Sequence, residues 1–138
     1  MSAQTTIDTV KDFFAAIGRG DSQALLALVA NDIEWIIPGE DWPLAGTHRG
    51  LDGVADALRR ASEEVSFSYP EPLEYVAQGD RVLVIGFAKG TITATNRTFE
   101  DYFVFAITVR NGKLAHIREY IDTQALARAA QPDTTRPA

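Results

Sequence analysis

Carboxylates are the groups in this sequence whose setting suits them to chemistry. In the strand-like segment 113–121, period-two alternation means that if Glu119 faces an interior, Ile117 and Ile121 face it too, while His116, Arg118 and Tyr120 project to the other side. A carboxyl desolvated among isoleucines has its pKa raised and becomes a better proton donor or acceptor near neutral pH. On the preceding strand-like segment the same parity collects Phe99, Asp101, Phe103, Phe105 and Ile107, one carboxyl in an otherwise apolar row. If the strands bring them close, Asp101 and Glu119 would share a proton or position a water between them. His48, beside Thr47 and Arg49, is a third candidate, as a donor or base at a pocket rim. Each also has a structural reading. Asp101 is then a strand-end carboxylate near solvent or paired with Arg97 or Arg118, Glu119 an acid solvated or tied to a neighbouring Arg, and His48 a solvated or hydrogen-bonded loop side chain.

The rest of the composition narrows the chemistry. There is no Cys and there are two His among 138 residues, so thiolate zinc sites, disulfides and Cys nucleophiles are excluded. No phosphate loop, Ser-His-Asp series or metal-ligand spacing is present, so neither a cofactor nor a metal is expected. Thirteen basic against nineteen acidic side chains give a net charge of −6, which removes the attraction that nucleic acids or anionic membranes require. The N-terminal stretch has no basic segment followed by an apolar one, and the apolar runs 24–30 and 82–85 are far too short to span a bilayer. A cytoplasmic location is the expectation.

These side chains must be positioned by elements that the periodicity outlines. Ile7, Val10, Phe13, Phe14 and Ile17 fall at helical spacing, predicting a helix over 6–18 with Thr5 or Thr6 as cap and Gly18 and Gly20 as breakers. Asp21 and Ser22 cap a shorter helix to Val29, and Ile33–Ile37 reads as a strand ended by Pro38-Gly39. Residues 39–50 read as a loop carrying Trp42 and His48 over a pocket mouth, followed by a helix over 51–64. Strands are predicted over 65–69, 73–77, 81–91, 97–110 and 113–121, with Asn111-Gly112 as the sharpest hairpin signal, and a last helix over 123–129. The reading is one domain over 1–130 and a flexible tail over 131–138.

Helices first and long antiparallel strands afterwards make an α+β pattern, a cone in which helices cover one face of a curved sheet. Its core would enclose a cavity walled by Phe13, Ile17, Trp35, Ile37, Trp42, Phe103, Phe105, Ile117 and Ile121, suited to a small hydrophobic organic molecule. The opposite face of the sheet is apolar as well, with Leu83, Ile85 and Phe87 on one strand and Tyr102, Val104 and Ala106 on the next. A second subunit is the expected cover, giving a homodimer.

Four segments together, 13–21 (FFAAIGRGD), 30–39 (ANDIEWIIPG), 43–54 (PLAGTHRGLDGV) and 112–122 (GKLAHIREYID), make the chain similar to the SnoaL-like branch of the NTF2-like superfamily. That branch also contains steroid Δ-isomerases, polyketide cyclases and limonene-type epoxide hydrolases. The resemblance covers nearly the whole chain and implies a cone-shaped fold that dimerises through its sheet. It implies little about the reaction, because this fold hosts enzymes, binding proteins and noncatalytic modules. Carried over by the resemblance, the isomerase general base falls on Ile37, its oxyanion Tyr on Phe13 and its second Asp near Phe103, so steroid isomerisation is not expected. The epoxide hydrolase Arg and Asp fall on Gly86 and Ala88, the residues holding its water on Trp35 and Ile37, and its water-activating Asp on Glu119. The resulting expectation is cofactor-independent acid/base chemistry of isomerase or cyclase type, with Glu119 as proton carrier and Asp101, His48 or Trp35 orienting. A noncatalytic ligand-binding module and an epoxide hydrolase are the alternatives.

Overall fold

The computed structural model describes residues 2–131, so the predicted tail lies, from residue 132 on, outside the described residues. Helix α1 (Ala3–Arg19) starts at Ser2, whose hydroxyl accepts the Thr5 N–H at 3.1 Å. The cap is therefore three or four residues earlier than the threonines the sequence suggested. Gly18 stays inside the helix, while Gly20, with φ of +66°, ends it in the left-handed conformation and donates to the carbonyls of Ala16 and Ile17. Asp21 then caps α2 (Ser22–Leu28) by accepting the Ala24 N–H at 3.0 Å.

Strand β1 (Val29–Ile37) begins earlier than its β-branched stretch suggested, and the segment read as a loop contains a short strand, β2 (Gly46–Arg49), antiparallel to it. Strand β2 pairs Thr47 with Ile36 and His48 with Trp35, so backbone pairing rather than composition organises this stretch. After α3 (Gly50–Glu64) come β3 (Val65–Ser68), β4 (Glu74–Gln78), β5 (Arg81–Ile92), β6 (Thr98–Arg110), β7 (Lys113–Tyr120) and α4 (Thr123–Ala130). The seven strands form one sheet in the order β2-β1-β7-β6-β5-β3, with β4 also paired to β5. All pairings are antiparallel except β1 with β7. Asn111 and Gly112 both have positive φ, as the tight β6–β7 hairpin requires.

Strand β5 is shared along its length, its first half pairing β4 and its second half β3. Gly86 lies between the two halves, where an added Cβ would overlap Leu73 and come within 3.1 Å of the Phe103 ring. The concave face carries the core: Ile33 and Trp35 of β1, Val82, Val84 and Ala88 of β5, Phe103, Phe105 and Ile107 of β6, and Leu114 and Ile117 of β7, closed by Val10, Phe13 and Phe14 of α1. The aromatic rings meet edge-on or tilted, as in Phe13–Trp35 at 5.5 Å and Phe14–Phe105 at 5.3 Å. Such pairs add about 0.5–1.5 kcal/mol each beyond their buried area and fix ring orientation. Among the described residues no helix is long and apolar enough to cross a membrane.

Candidate active site

The curl of the sheet leaves a cavity of about 360 Å³ between its concave face and the helices. It is walled by Ile17 of α1, Leu25 of α2, Trp35 and Ile37 of β1, Ala57, Leu58 and Ala61 of α3, and Val65, Phe67 and Tyr69 on and just after β3. Trp42 and Leu44, from the segment joining β1 to β2, and Ile121, Thr123 and Leu126, from the chain leaving β7 and entering α4, complete the enclosure. Gly20, Asp21, Ser22, Ser62 and Ser66 are exposed lining residues and form the mouth, between the α1–α2 turn and the junction of α3 with β3.

Glu119 is on the wall of this cavity, half-buried, and faces inward as strand alternation requires. Trp35 stands beside it on β1: the parallel register sets Trp35 opposite Ile117, two residues before Glu119, and the indole Nε1–H donates to Glu119 Oε2 at 2.5 Å. No Lys or Arg pairs with Glu119 among the described residues. Arg118 projects to the other face of the sheet, where its guanidinium sits 5.9 Å from the Tyr120 ring centroid. Burial disfavours the ionised form more strongly than the indole N–H favours it, so the Glu119 carboxyl is raised to about 7. Tyr69 is pushed up as well, by burial and by the nearby negative charge of Glu119, and stays a neutral phenol. Its ring is wedged against Phe67, Phe14 and Phe103, with centroids at 5.9, 5.7 and 5.1 Å.

The expected wall is corrected in part. Ile17, Trp35, Ile37, Trp42 and Ile121 do line the cavity. Phe13, Phe103, Phe105 and Ile117 do not: they are at most 1% exposed and pack as solid core between the sheet and α1. Asp101 has the inward parity, yet it lies outside the lining. On β6 it is four residues from Phe105, the residue paired with Glu119, which is about 13 Å along a strand. Its Oδ1 accepts the backbone N–H of Tyr102 at 2.8 Å, so the two carboxyls do not form a proton-sharing pair. His48 is also outside the lining; its Nε2–H donates to the Leu44 carbonyl at 2.8 Å and ties β2 to the preceding turn. Trp42 is not a rim residue: at 3% exposure it is an interior wall.

Sequence reasoning passed over Tyr69, Phe67 and Thr123. The alternation Val65, Phe67, Tyr69 was the available signal for the first two, all three residues being on one side of the chain. Nothing in the sequence marked Thr123, which reaches the cavity because α4 starts immediately after the strand that carries Glu119.

This architecture can be set beside known proteins. Residues 10–117 match the SnoaL-like domain. The chain belongs to the SnoaL-like family. Among solved structures it is similar to an NTF2-like protein from Burkholderia xenovorans LB400, with 66% identity, a TM-score of 0.87, and 95% of this chain and 99% of that one covered. It is also similar to TerC, co-crystallised with polyporic acid, at 25% identity and a TM-score of 0.79, over 93% of this chain and 99% of that one. A candidate polyketide cyclase from Xanthomonas campestris pv. campestris shares the fold at a TM-score of 0.81 and 19% identity, over 94% and 98% of the two chains. The NTF2-like cone expected for a SnoaL-like protein, helices on a strongly curved and mainly antiparallel sheet, is the architecture present. Within it Ile37 lines the cavity, and Phe13 and Phe103 are core.

Proposed function

We propose that this protein binds a small apolar or polycyclic organic molecule and moves a proton on it without a cofactor, in an isomerisation or ring closure. The observation that carries this is Glu119, a carboxyl titrating at about 7 on the wall of an apolar cavity. Ionised, it takes a proton from a carbon next to a carbonyl; protonated, it returns the proton to another position. One group serves both steps because its pKa matches the working pH. The Trp35 N–H holds the carboxylate in place and steadies its charge, and the neutral Tyr69 hydroxyl is a donor for the oxygen that becomes negative. Epoxide hydration by a Glu119-held water fits less well, since Ala88 is fully buried and Gly86 is packed against Leu73 and Phe103 where that chemistry needs an Asp and an Arg.

The test is proton exchange. Apolar cyclic ketones that bind the protein are incubated with it in D₂O, and deuterium uptake next to the carbonyl is followed by mass spectrometry. Wild type is expected to catalyse uptake, and Glu119→Gln to bind equally but exchange about 10²–10⁴-fold more slowly, the range for loss of a general base. Ketones that bind without exchange in the wild type would favour the noncatalytic binding module instead.

The same reading includes a homodimer. On the convex face Val76 pairs with Leu83 and Phe87 with Tyr102, and these side chains, with Ile85, Val104 and Tyr120, form an apolar surface. Tyr102 is 74% and Tyr120 53% exposed, too much for a sheet face meant for water. Light scattering at micromolar concentration should give twice the 15.1 kDa chain mass, and Leu83→Glu with Tyr102→Glu should give the monomer. A monomeric wild type would remove the dimer.

A further inference from the structure

The ionisable side chains on the cavity wall are all acids. Among the described residues Asp21, Tyr69 and Glu119 line it, and no Lys, Arg or His does. Glu119 Oε2 is engaged by Trp35, while Oε1 has no hydrogen-bond partner among the described residues. Four aromatic side chains, Trp35, Trp42, Phe67 and Tyr69, share the wall with it.

Burying a charge is costly unless a counter-charge comes with it. Here the fold has already removed the carboxyl from water, and its raised pKa is the measure of that penalty. A cation entering the cavity loses its own hydration, but gains a carboxylate that the fold has already partly withdrawn from water, so part of the usual cost of a buried ion pair is absent. Aromatic faces attract cations through their quadrupoles. An anion of the same shape meets no cationic side chain on the wall among the described residues.

We propose that the cavity is a receptor for apolar amines, taking a compact hydrocarbon body in its aromatic wall and a single protonated nitrogen at Oε1 of Glu119. This rests on Glu119 being the polar focus of a ligand cavity and names the substrate class for it. Pairing with the ammonium lowers the pKa of the carboxyl, so a bound amine holds Glu119 ionised.

Binding must then depend on pH in a fixed direction. The groups facing Glu119 are the Trp35 indole from β1, Phe105 from β6, the Tyr69 phenol after β3 and Thr123 at the start of α4. Charged neighbours are committed elsewhere: Asp21 accepts the Ala24 N–H at the mouth, and Asp122 accepts the Ala125 N–H at the start of α4. Neither histidine lines the cavity: His48 on β2 is bonded to Leu44, and His116 on β7 lies three residues before Glu119, on the opposite side of the strand. The amine therefore gains affinity as pH rises through the titration of Glu119. A fall of about two pH units in its pKa on pairing gives about a twentyfold gain between pH 5.5 and pH 8.

Three optically silent probes of one shape test this: 1-adamantylamine, 1-adamantanol and adamantane-1-carboxylate, titrated against the fluorescence of Trp35 and Trp42. At pH 8 the amine should bind at least tenfold more tightly than the alcohol, and the carboxylate should not bind. The amine should weaken about twentyfold at pH 5.5 and retain that pH dependence in His48→Gln. In Glu119→Gln the amine should lose its advantage while the alcohol still binds. Charge selectivity is overturned, with the cavity reading intact, if the alcohol matches the amine at pH 8, if the carboxylate binds more tightly than the amine, or if Glu119→Gln binds the amine as well as wild type. If none of the three binds, the ligand-cavity reading falls with it.

Discussion

Replacing Glu119 by Gln should leave the protein more stable than wild type at pH 8 and equally stable at pH 4. The carboxyl titrates at about 7 in the folded chain against an ordinary value of 4.5, so the folded state holds the proton more tightly than the unfolded state. Where the folded form binds more protons, stability falls as pH rises. The loss begins near pH 4.5, where the unfolded chain ionises, and is complete once pH exceeds the folded value near 7. Above that, the ionised carboxylate costs the fold on the order of 3 kcal/mol. Gln has nearly the same shape and still offers an oxygen to the Trp35 N–H, but carries no charge to bury. Urea melts of both proteins from pH 4 to pH 9 should therefore diverge, with the difference half-developed between the two pKa values. A difference that does not change with pH, or a Gln variant weaker than wild type at pH 8, would mean that Glu119 is well solvated and unsuited to the chemistry assigned to it. A catalytic group that weakens its own fold is the usual signature of a site kept for function.

Gly39→Ala should be among the most damaging single substitutions outside the core, at roughly 2–4 kcal/mol. Gly39 has φ of +112°, a conformation side chains rarely adopt, and its added Cβ would overlap the Thr123 hydroxyl and lie 2.9 Å from Thr123 Cβ. The two residues are far apart in sequence but join the end of β1 to the first turn of α4, directly behind the cavity wall. Alanine there must push Thr123 and α4 outward, opening the wall beside Glu119. Thermal melts should show a fall in Tm of several degrees per kcal/mol. Thr123→Ala should recover part of the loss, since it removes the hydroxyl overlap while the backbone strain remains, giving a measurable coupling in the double-mutant cycle. An unchanged Tm for Gly39→Ala would show that the turn after Pro38 relaxes freely and does not brace the cavity.

Which parts of the site were legible in the sequence follows from how local their causes are. The inward orientation of Glu119 needed only the period of a strand and its isoleucine neighbours. Asp101 satisfied the same parity rule as Glu119 and still lies outside the cavity, because parity gives a face and says nothing of distance along it. His48 sits in a segment rich in Gly and Pro, and its pairing to β1 was hidden because composition does not reveal a four-residue strand that forms only against a neighbour.

The sequence by itself determined the elements other than β2, the face on which most apolar side chains lie, the acidic balance and the absence of thiol chemistry, since these depend on residue identity and on periods of two and 3.6. The tertiary structure alone decided which of the inward residues are solid core and which line the hole: Phe103 and Phe105 are sealed beneath α1, while Phe67, Tyr69 and Thr123 reach the cavity. It also decided that Glu119 meets the Trp35 indole rather than an arginine. Both outcomes are set by sheet curvature and strand register, which arise from contacts between residues distant in the chain and leave no local pattern to read.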